Sequence, residues 1–458
     1  MISGDIGGLP GPFQKHEIER EMKRTLTRRL RRCAVAFLLG GALTSGAHAA
    51  GGYFVLGYGP YAHQSAGAST ATGFDAFAGS SNPGKLAAAG TRLDLGMLTF
   101  LPSRRMTRTG SGTAFDFKTK SRNDVFLIPD GAYAHHLNDI WAWGITFYGN
   151  GGLNTEYHET TGIPGSNNNP SRCGNKPGNY FGGCGELGFD LLQIIVAPTL
   201  SYRPIERHTF GIAPLLAYQQ FRVYGLQAFE ALSREPDRVT NKGVEGATGA
   251  GVRFGWLGTI WPWMNVGATY ATRVHMQDFK EYRGLLAGGS FDIPDNFSVG
   301  VAVTKQEMTL ALDIQRIFFG HIPALANGVL NTLEAPEEKP LGSRDGSGFH
   351  WTHQTNYRVG LTWAATPNLD VRAGFAYGRV PQADSTINTA SFAVLAPTPA
   401  LNLTAGFSFR PSGTDEIHFA YGAYRRGEYS GDSAVFPGAT EKVEPRVDTI
   451  YLAWSRRW

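Results

Sequence analysis
From Thr91 to Trp458 apolar and polar residues alternate along the chain with a period of two. In one such run Leu369, Val371, Ala373, Phe375 and Tyr377 share a face, while Asp370, Arg372, Gly374, Ala376 and Gly378 share the other. Leu401, Leu403, Ala405, Phe407 and Phe409 oppose Asn402, Thr404, Gly406, Ser408 and Arg410 in the same way, and Phe297, Val299, Val301 and Val303 oppose Ser298, Gly300, Ala302 and Thr304. Successive side chains of a strand point to opposite faces, so these runs predict strands with one apolar face. A soluble sandwich would show the same alternation, and the connections have to decide.

Strands are expected at 92–102, 125–136, 141–151, 188–202, 209–229, 247–256, 264–274, 295–304, 308–319, 354–364, 369–378, 400–410, 416–424 and 446–458, fourteen in all. Roughly 20 to 35 residues follow each odd strand and about three to seven each even one, the parity of an outer-membrane barrel with long outer loops and tight inner turns. Leu137-Asn138-Asp139, Ala365-Thr366-Pro367-Asn368 and Pro411-Ser412-Gly413-Thr414-Asp415 are turn-forming segments. Trp141, Trp143, Trp256, Trp261, Trp263, Trp363, Trp454 and Trp458 fall at turn-side strand ends, with only Trp351 on the loop side, as an interfacial girdle requires. The expected fold class is all-β, a fourteen-stranded antiparallel transmembrane β-barrel of the bacterial outer membrane over residues 91–458.

Ahead of Thr91 the pattern changes. Gly51 to Phe77 is rich in Gly, Ala, Ser and Thr without a usable period, and it cannot bury a core of its own. Gly79-Ser80-Ser81-Asn82-Pro83-Gly84 joins it to the first strand. Residues 50–90 are therefore expected to form a plug inside the barrel, gated at Asn82, Pro83 and Gly84. Residues 1–49 read as a cleaved signal peptide: Lys23-Arg24 and Arg28 to Arg32 are a positive region, Cys33 to Gly46 an apolar one, and Ala47-His48-Ala49 a small-residue cleavage site. Residues 1–21 are long and acidic for such a segment, which makes Met22 a candidate start.

Removing the presequence changes the charge. It holds eight of the 42 Lys and Arg and four of the 38 Asp and Glu, which leaves 34 of each. A neutral mature chain argues against nucleic acid as a partner. Although 42% of residues are hydrophobic, no stretch of the mature chain approaches the roughly 20 apolar residues of a spanning helix. Cys173 and Cys184, in a Gly/Asn/Pro-rich segment of an exported chain, are expected to form a local disulfide, a metal pair being the rival reading.

In order along the chain, Asn82-Pro83-Gly84, Gly267-Ala268-Thr269-Tyr270 with Arg273 and Phe279, Ile293-Pro294 before Gly300, and Tyr357-Arg358-Val359-Gly360-Leu361 continuing to Ala373-Gly374-Phe375-Ala376-Tyr377 and Val380-Pro381 carry a resemblance. They resemble the FadL family of outer-membrane transporters for long-chain fatty acids and other hydrophobic compounds, over nearly the whole mature chain. The resemblance implies a monomer in outer-membrane lipid, inserted by barrel-assembly machinery, that passively takes up small hydrophobic molecules such as fatty acids or aromatic hydrocarbons without cofactor or metal. It also implies capture by apolar outer loops and lateral release at a kink in the third strand, where Gly149, Gly151 and Gly152 stand.

Other expectations come from the residues themselves. The third and fifth outer loops carry Phe229 and Leu232, then Phe318, Phe319, Ile322 and Leu325, too apolar for solvated loops. They either line a capture groove or pack loop against loop. Pro198 and Pro214 lie at nearly the same depth on the fourth and fifth strands and lack amide hydrogens, which marks either bulges or a second lateral exit. Catalysis is not expected: Gly431-Asp432-Ser433 sits in an outer loop, and His135-His136 beside a turn. A surface barrel binding host or phage protein, or an outer-membrane lipase, are the alternatives from other functional classes.

Overall fold
The computed structural model describes residues 52–112, 116–158, 176–378, 401–425, 429–433 and 436–458. Fourteen antiparallel strands form one closed barrel. They are β1 (Arg92–Thr109), β2 (Phe126–His136), β3 (Trp141–Tyr157), β4 (Leu187–Ile205), β5 (His208–Tyr224), β6 (Glu245–Trp261), β7 (Met264–Ala271), β8 (Asn296–Lys305), β9 (Met308–Ile317), β10 (Gln354–Thr366), β11 (Leu369–Gly378), β12 (Leu401–Phe409), β13 (Asp415–Arg425) and β14 (Thr440–Arg457). Closure comes from β1 against β14, in register from Arg92↔Arg457 to Thr109↔Thr440. This closure leaves the first and last strands without an edge for lipid to meet.

Three strands run further toward the loops than alternation indicates. β1 continues to Thr109, β3 to Tyr157, and β14 begins at Thr440. There the sheet rises as a ribbon whose residues include Arg105, Thr107, Lys442 and Glu444, and hydrogen bonding persists where the apolar face has stopped. β5 is shorter than expected and ends at Tyr224: Gly225, at φ 83°, turns the chain into a 3-10 turn over Gln227–Leu232.

The barrel is inside-out relative to a soluble sandwich. Leu95, Ile145, Phe147, Leu200, Ile212, Leu216, Leu312 and Phe407 are exposed, while Gln193, Gln219, Asp313, Arg358, Asn402, Ser408 and His418 are buried. Exposed Trp141, Trp143, Trp261, Trp263, Trp454 and Trp458 ring the turn side. An apolar outer band with an aromatic belt is what a bilayer selects.

Residues 52–90 fill the lumen as short turns, Pro60–Gln64, Ala76–Ser80, Pro83–Lys85 and Leu86–Ala89. Barrel side chains grip plug main chain. Asp313 Oδ2 accepts from the amides of Ser69 and Thr70 at 2.9 and 2.8 Å, Asp94 from Ala76 at 2.7 Å, and Thr404 Oγ1 from Ala66 at 2.8 Å. Arg253 donates to Gly79 O at 2.9 Å and Arg358 to Gly67 O at 3.2 Å. A segment with few side chains to pack has backbone groups that must be satisfied when buried, and here the wall supplies the partners.

Candidate functional site
Among the described residues the ladder is interrupted between β2 and β3 and between β4 and β5. Between β2 and β3 pairing runs from His136↔Ala142 only to Gly131↔Phe147. Above that level β2 stays paired with β1, and β3 continues with its β2-side edge vacated. β3 itself shifts register against β4 between Gly149 and Gly151. The plug occupies this bulge from inside: Val55 N donates to Asn150 O at 3.2 Å and Gly152 N to Tyr53 O at 3.2 Å. A Cβ on Gly151 would come within 2.1 Å of Tyr53 O, so glycine is what lets the two backbones meet.

The second interruption lies between β4 and β5. The ladder stops at Val196↔Leu216 and resumes at Leu200↔Ile212 in the same register, which places Pro198 directly opposite Pro214. Losing both amide hydrogens of a mutually bonded pair removes the two flanking bridges as well. Register is unchanged on either side, so the expected bulges are absent. Gly79 of the plug backs this seam: a Cβ there would meet Thr199 Oγ1 at 2.4 Å and Ala197 O at 3.0 Å.

Asn82, Pro83 and Gly84 are wedged on the adjoining wall. Asn82 Nδ2 donates to Thr70 O and Trp256 O, each at 2.9 Å, and its Oδ1 caps Gly84 N at 3.0 Å. Any Cβ on Gly211 or Gly255 would strike Pro83 at 2.3 and 2.7 Å respectively. Two wall glycines thus form the slot that holds the joint.

Two chambers flank the plug and differ in chemistry. The loop-side cavity, about 410 Å³, is lined by Tyr53, Phe54, Phe100, Phe126, Phe221 and Tyr424 and reaches wall residues Leu127 and Leu192, whose outer surfaces are 64% and 38% exposed. The turn-side cavity, about 280 Å³, is lined by Asp370, Arg372, Arg410 and Arg457. Asp370 pairs with Arg372 at 3.0 Å and with Arg410, and Glu416 takes Arg410 and Arg457 at 2.9 Å each.

The six loop residues separate in the structure. Phe229 lines a small apolar cavity of about 70 Å³ between outer loops, together with Leu226, Leu286 and Phe349, and half-buried Leu232 packs on the same core. Phe319 is fully buried and roofs the plug, its ring 5.5 Å from Tyr53 and 5.9 Å from Phe54. Ile322 and Leu325 are core. Phe318 turns away to stack on His321 at 5.1 Å. The neighbour His353 has its pKa lowered, first by burial and then by His321.

Cys173 lies outside the described residues, as do residues 1–49. Cys184 is buried, and its amide donates to Gln227 Oε1 at 3.1 Å. Ser433 Oγ donates to Glu441 Oε1 at 2.8 Å, and Arg108 donates to the same oxygen. His136 bonds Ala87 O, and His135 stacks on Tyr133. No cluster of three or more His, Cys, Asp or Glu suited to a metal occurs among the described residues.

Within the plug, burial sets the charges. His63, stacked 4.1 Å from Tyr451, has its pKa pushed down to about 3 by burial. Asp75 is pushed up to about 6 by burial against the pull of Lys85. Lys85 is itself lowered by burial, and its ammonium donates to Ser69 O, Thr72 O and Gly73 O at 2.6, 3.0 and 3.3 Å.

The barrel fold matches solved structures. The P. putida toluene transporter TodX superposes with a TM-score of 0.65 at 16% identity, covering 88% of this chain and 99% of that one. A Pseudomonas aeruginosa FadL homologue superposes with a TM-score of 0.63 at 14% identity and the same coverage. The fold is that of the FadL-type barrels. The Ralstonia pickettii toluene transporter TbuX shares it with a TM-score of 0.58 at 15% identity, again over 88% and 99%. No protein-family model and no curated protein matches the chain.

Alternation found the strands, but two features needed the fold. One is the plug strand at Tyr53–Val55 seated on β3, and the other is the buried Arg104 in the loop-side cavity. The only signal in the sequence for the first was the glycine cluster at Gly149, Gly151 and Gly152.

Proposed function
We propose that the protein is a passive channel of the bacterial outer membrane for small hydrophobic molecules, which collect at the apolar outer loops, enter the loop-side cavity and leave sideways between β2 and β3 into the bilayer. The observation that carries the reading is the lining of that cavity, whose buried rings and aliphatic side chains reach Leu127 and Leu192 on the lipid face. A straight path down would lead an apolar molecule past the plug into a chamber of paired charges, where desolvation is costly. The toluene transporters TodX and TbuX share the fold, which supports the substrate class.

Gly149 tests the route. A Cβ there would lie 2.6 Å from Ile128 Cγ2, across the vacated edge. Gly149→Val should fill the opening and reduce toluene uptake by liposome-reconstituted protein about tenfold, with the barrel folded. Uptake at the unaltered rate would place the exit elsewhere, and no protein-dependent uptake in the parent chain would end the transport reading.

A further inference from the structure
On β1 the residues that alternate with buried Arg104 and Met106 face out of the barrel. The outer face exposes Leu95 and Met97 and, further along, Arg105. Leu95 lies opposite Trp454 of the turn-side girdle, and Arg105 stands ten residues beyond it. At roughly 3.3 Å per residue and a strand tilt of about 40°, that is a rise of roughly 25 Å, the height of the apolar band. Arg105 therefore emerges at the outer head-group level. Register gathers further cations around it: β1 has β14 on one side and the short strand Phe117–Lys120 on the other, with Lys120 and Glu444 opposite Arg105, Lys118 and Lys442 opposite Thr107, and Arg446 opposite Ser103. The carboxylates of this face are already matched. Glu444 is held by Lys442 at 3.6 Å, Asp124 by Lys120 at 3.3 Å and Asp448 by Arg425 at 2.6 Å. Arg105, Lys118 and Arg446 have no carboxylate within ion-pair distance among the described residues, so the face carries three cations in excess. It ends at Arg122, which Glu156 and Glu186 hold. Across the barrel the loop-side ends of β7 and β10 expose Tyr270 and Tyr357 instead.

We propose that this face docks a phosphorylated glycolipid of the outer leaflet, with its phosphates on Arg105, Lys118 and Arg446 and its acyl chains against Leu95, Met97 and Leu452. Guanidinium and ammonium groups take phosphate through charge-assisted hydrogen bonds, and the apolar band directly below them suits a lipid, whereas free phosphate would gain nothing from it. Outward rows roughly 7 Å apart on strands roughly 4.8 Å apart let two phosphates of one head group engage β1 and β14 together. The lipid thereby braces the strand pair that closes the barrel. The inference rests on placement in the outer membrane and goes beyond the transport reading, since it is independent of the cargo and of its exit.

The test compares diphosphoryl lipid A with its dephosphorylated form in equilibrium binding to the refolded full chain in neutral detergent. At about 50 mM NaCl the unaltered protein should prefer the diphosphoryl form at least tenfold, and about 0.5 M NaCl should remove most of that preference. Arg105→Gln, Lys118→Gln and Arg446→Gln together should reduce the preference about tenfold with the barrel folded, while Glu444→Gln, which takes away a carboxylate, should tighten diphosphoryl lipid A binding about threefold. Equal binding of the two lipids by the unaltered protein, an unchanged preference in the folded triple variant, or weaker binding in Glu444→Gln overturns the proposal; the first and last comparisons stand even if the triple variant does not fold. Inorganic phosphate at about 10 mM should displace little of the bound lipid, and full displacement would make the face a free-phosphate site and end the lipid proposal. Toluene uptake by the triple variant in phospholipid liposomes should match that of the unaltered chain, so failure of lipid docking and failure of transport are read separately.

Discussion

The two breaks in the wall look alike as lists of missing bonds and differ in what stands behind them. At β2–β3 the loop-side half of β3 is left by β2 and bonded instead by the plug at Asn150 and Gly152 and by Ser121 and Arg122 at Glu156, and a cavity lies inside it. At β4–β5 only three residue pairs are lost, between Val196↔Leu216 and Leu200↔Ile212, and Gly79 lies in van der Waals contact behind them. An unsatisfied carbonyl facing hydrocarbon is costly in either place. Missing hydrogen bonds mark where a barrel can open; the packing behind them decides whether it does.

The largest way to break this contrast is to remove what stands behind. Deleting residues 52–85 takes away Gly79 from the proline seam and Tyr53–Val55 from the β3 bulge at once. In planar bilayers the deletion should convert a protein with little ionic conductance into an open pore of steady conductance. A deletion variant that folds and stays electrically silent would mean the wall closes by itself, and the plug would lose the role given to it.

The loop end offers a smaller separation. Phe319 is buried against Tyr53 and Trp351, so Phe319→Ser should loosen the roof over the plug by about 3 kcal/mol. Phe318, half-buried against His321 and Phe297, should cost under about 1 kcal/mol when changed to Ser. Hydrogen exchange of the Tyr53–Val55 amides distinguishes them. Equal effects would return the pair to one shared surface.

This split shows what the sequence could and could not carry. Period two located all fourteen strands because lipid imposes an apolar face on every one, and Trp141 through Trp263 marked the turn side because interfaces select indole rings. The loops lack such a repeating constraint. Phe318 and Phe319 are adjacent letters, yet one packs inward and the other outward, and only their fold partners decide that. Arg104 likewise reads as one more inward polar residue of β1; its place in the lining of the loop-side cavity depends on which residues of other strands come near. The alignment of Pro198 with Pro214 was legible because a tight turn fixes antiparallel register, although register alone did not show that the wall would stay straight.

pH separates two plug charges of opposite sign. His63 has a folded pKa near 3 against an ordinary value of 6.5, so the unfolded plug takes up the proton first, and plug stability falls as pH drops from about 6.5 toward 3. Asp75 is raised to about 6 from 3.8, so its contribution is present below 3.8 and lost as pH rises through 6. Each can change stability by at most about 1.4 kcal/mol per pH unit, and between pH 4 and 6 they oppose one another. His63→Gln should therefore turn a nearly flat plug stability into one that rises as pH falls from 6 to 4. Plug amide exchange, corrected for its intrinsic pH dependence, reads the slope. An unchanged slope in the variant would show that His63 is not buried neutral.

The smallest effect bears most directly on the seam. Pro198→Val with Pro214→Val returns two amide hydrogens at a directly opposed pair, on side chains that face outward where valine suits both strand and lipid. Two ladder bonds at about 1 kcal/mol each should raise the temperature at which the barrel loses its heat-modifiable mobility by a few degrees. Toluene uptake should stay within twofold, because Gly79 already closes this seam from within. If the repaired wall instead abolished uptake, the proline seam would be the exit, and Gly79→Val, whose side chain would push against Thr199 and lift the plug away, should then accelerate uptake. Uptake unaffected by either change, together with its loss in Gly149→Val, leaves the vacated edge of β3 as the opening and makes the proline pair a hinge held shut by the plug.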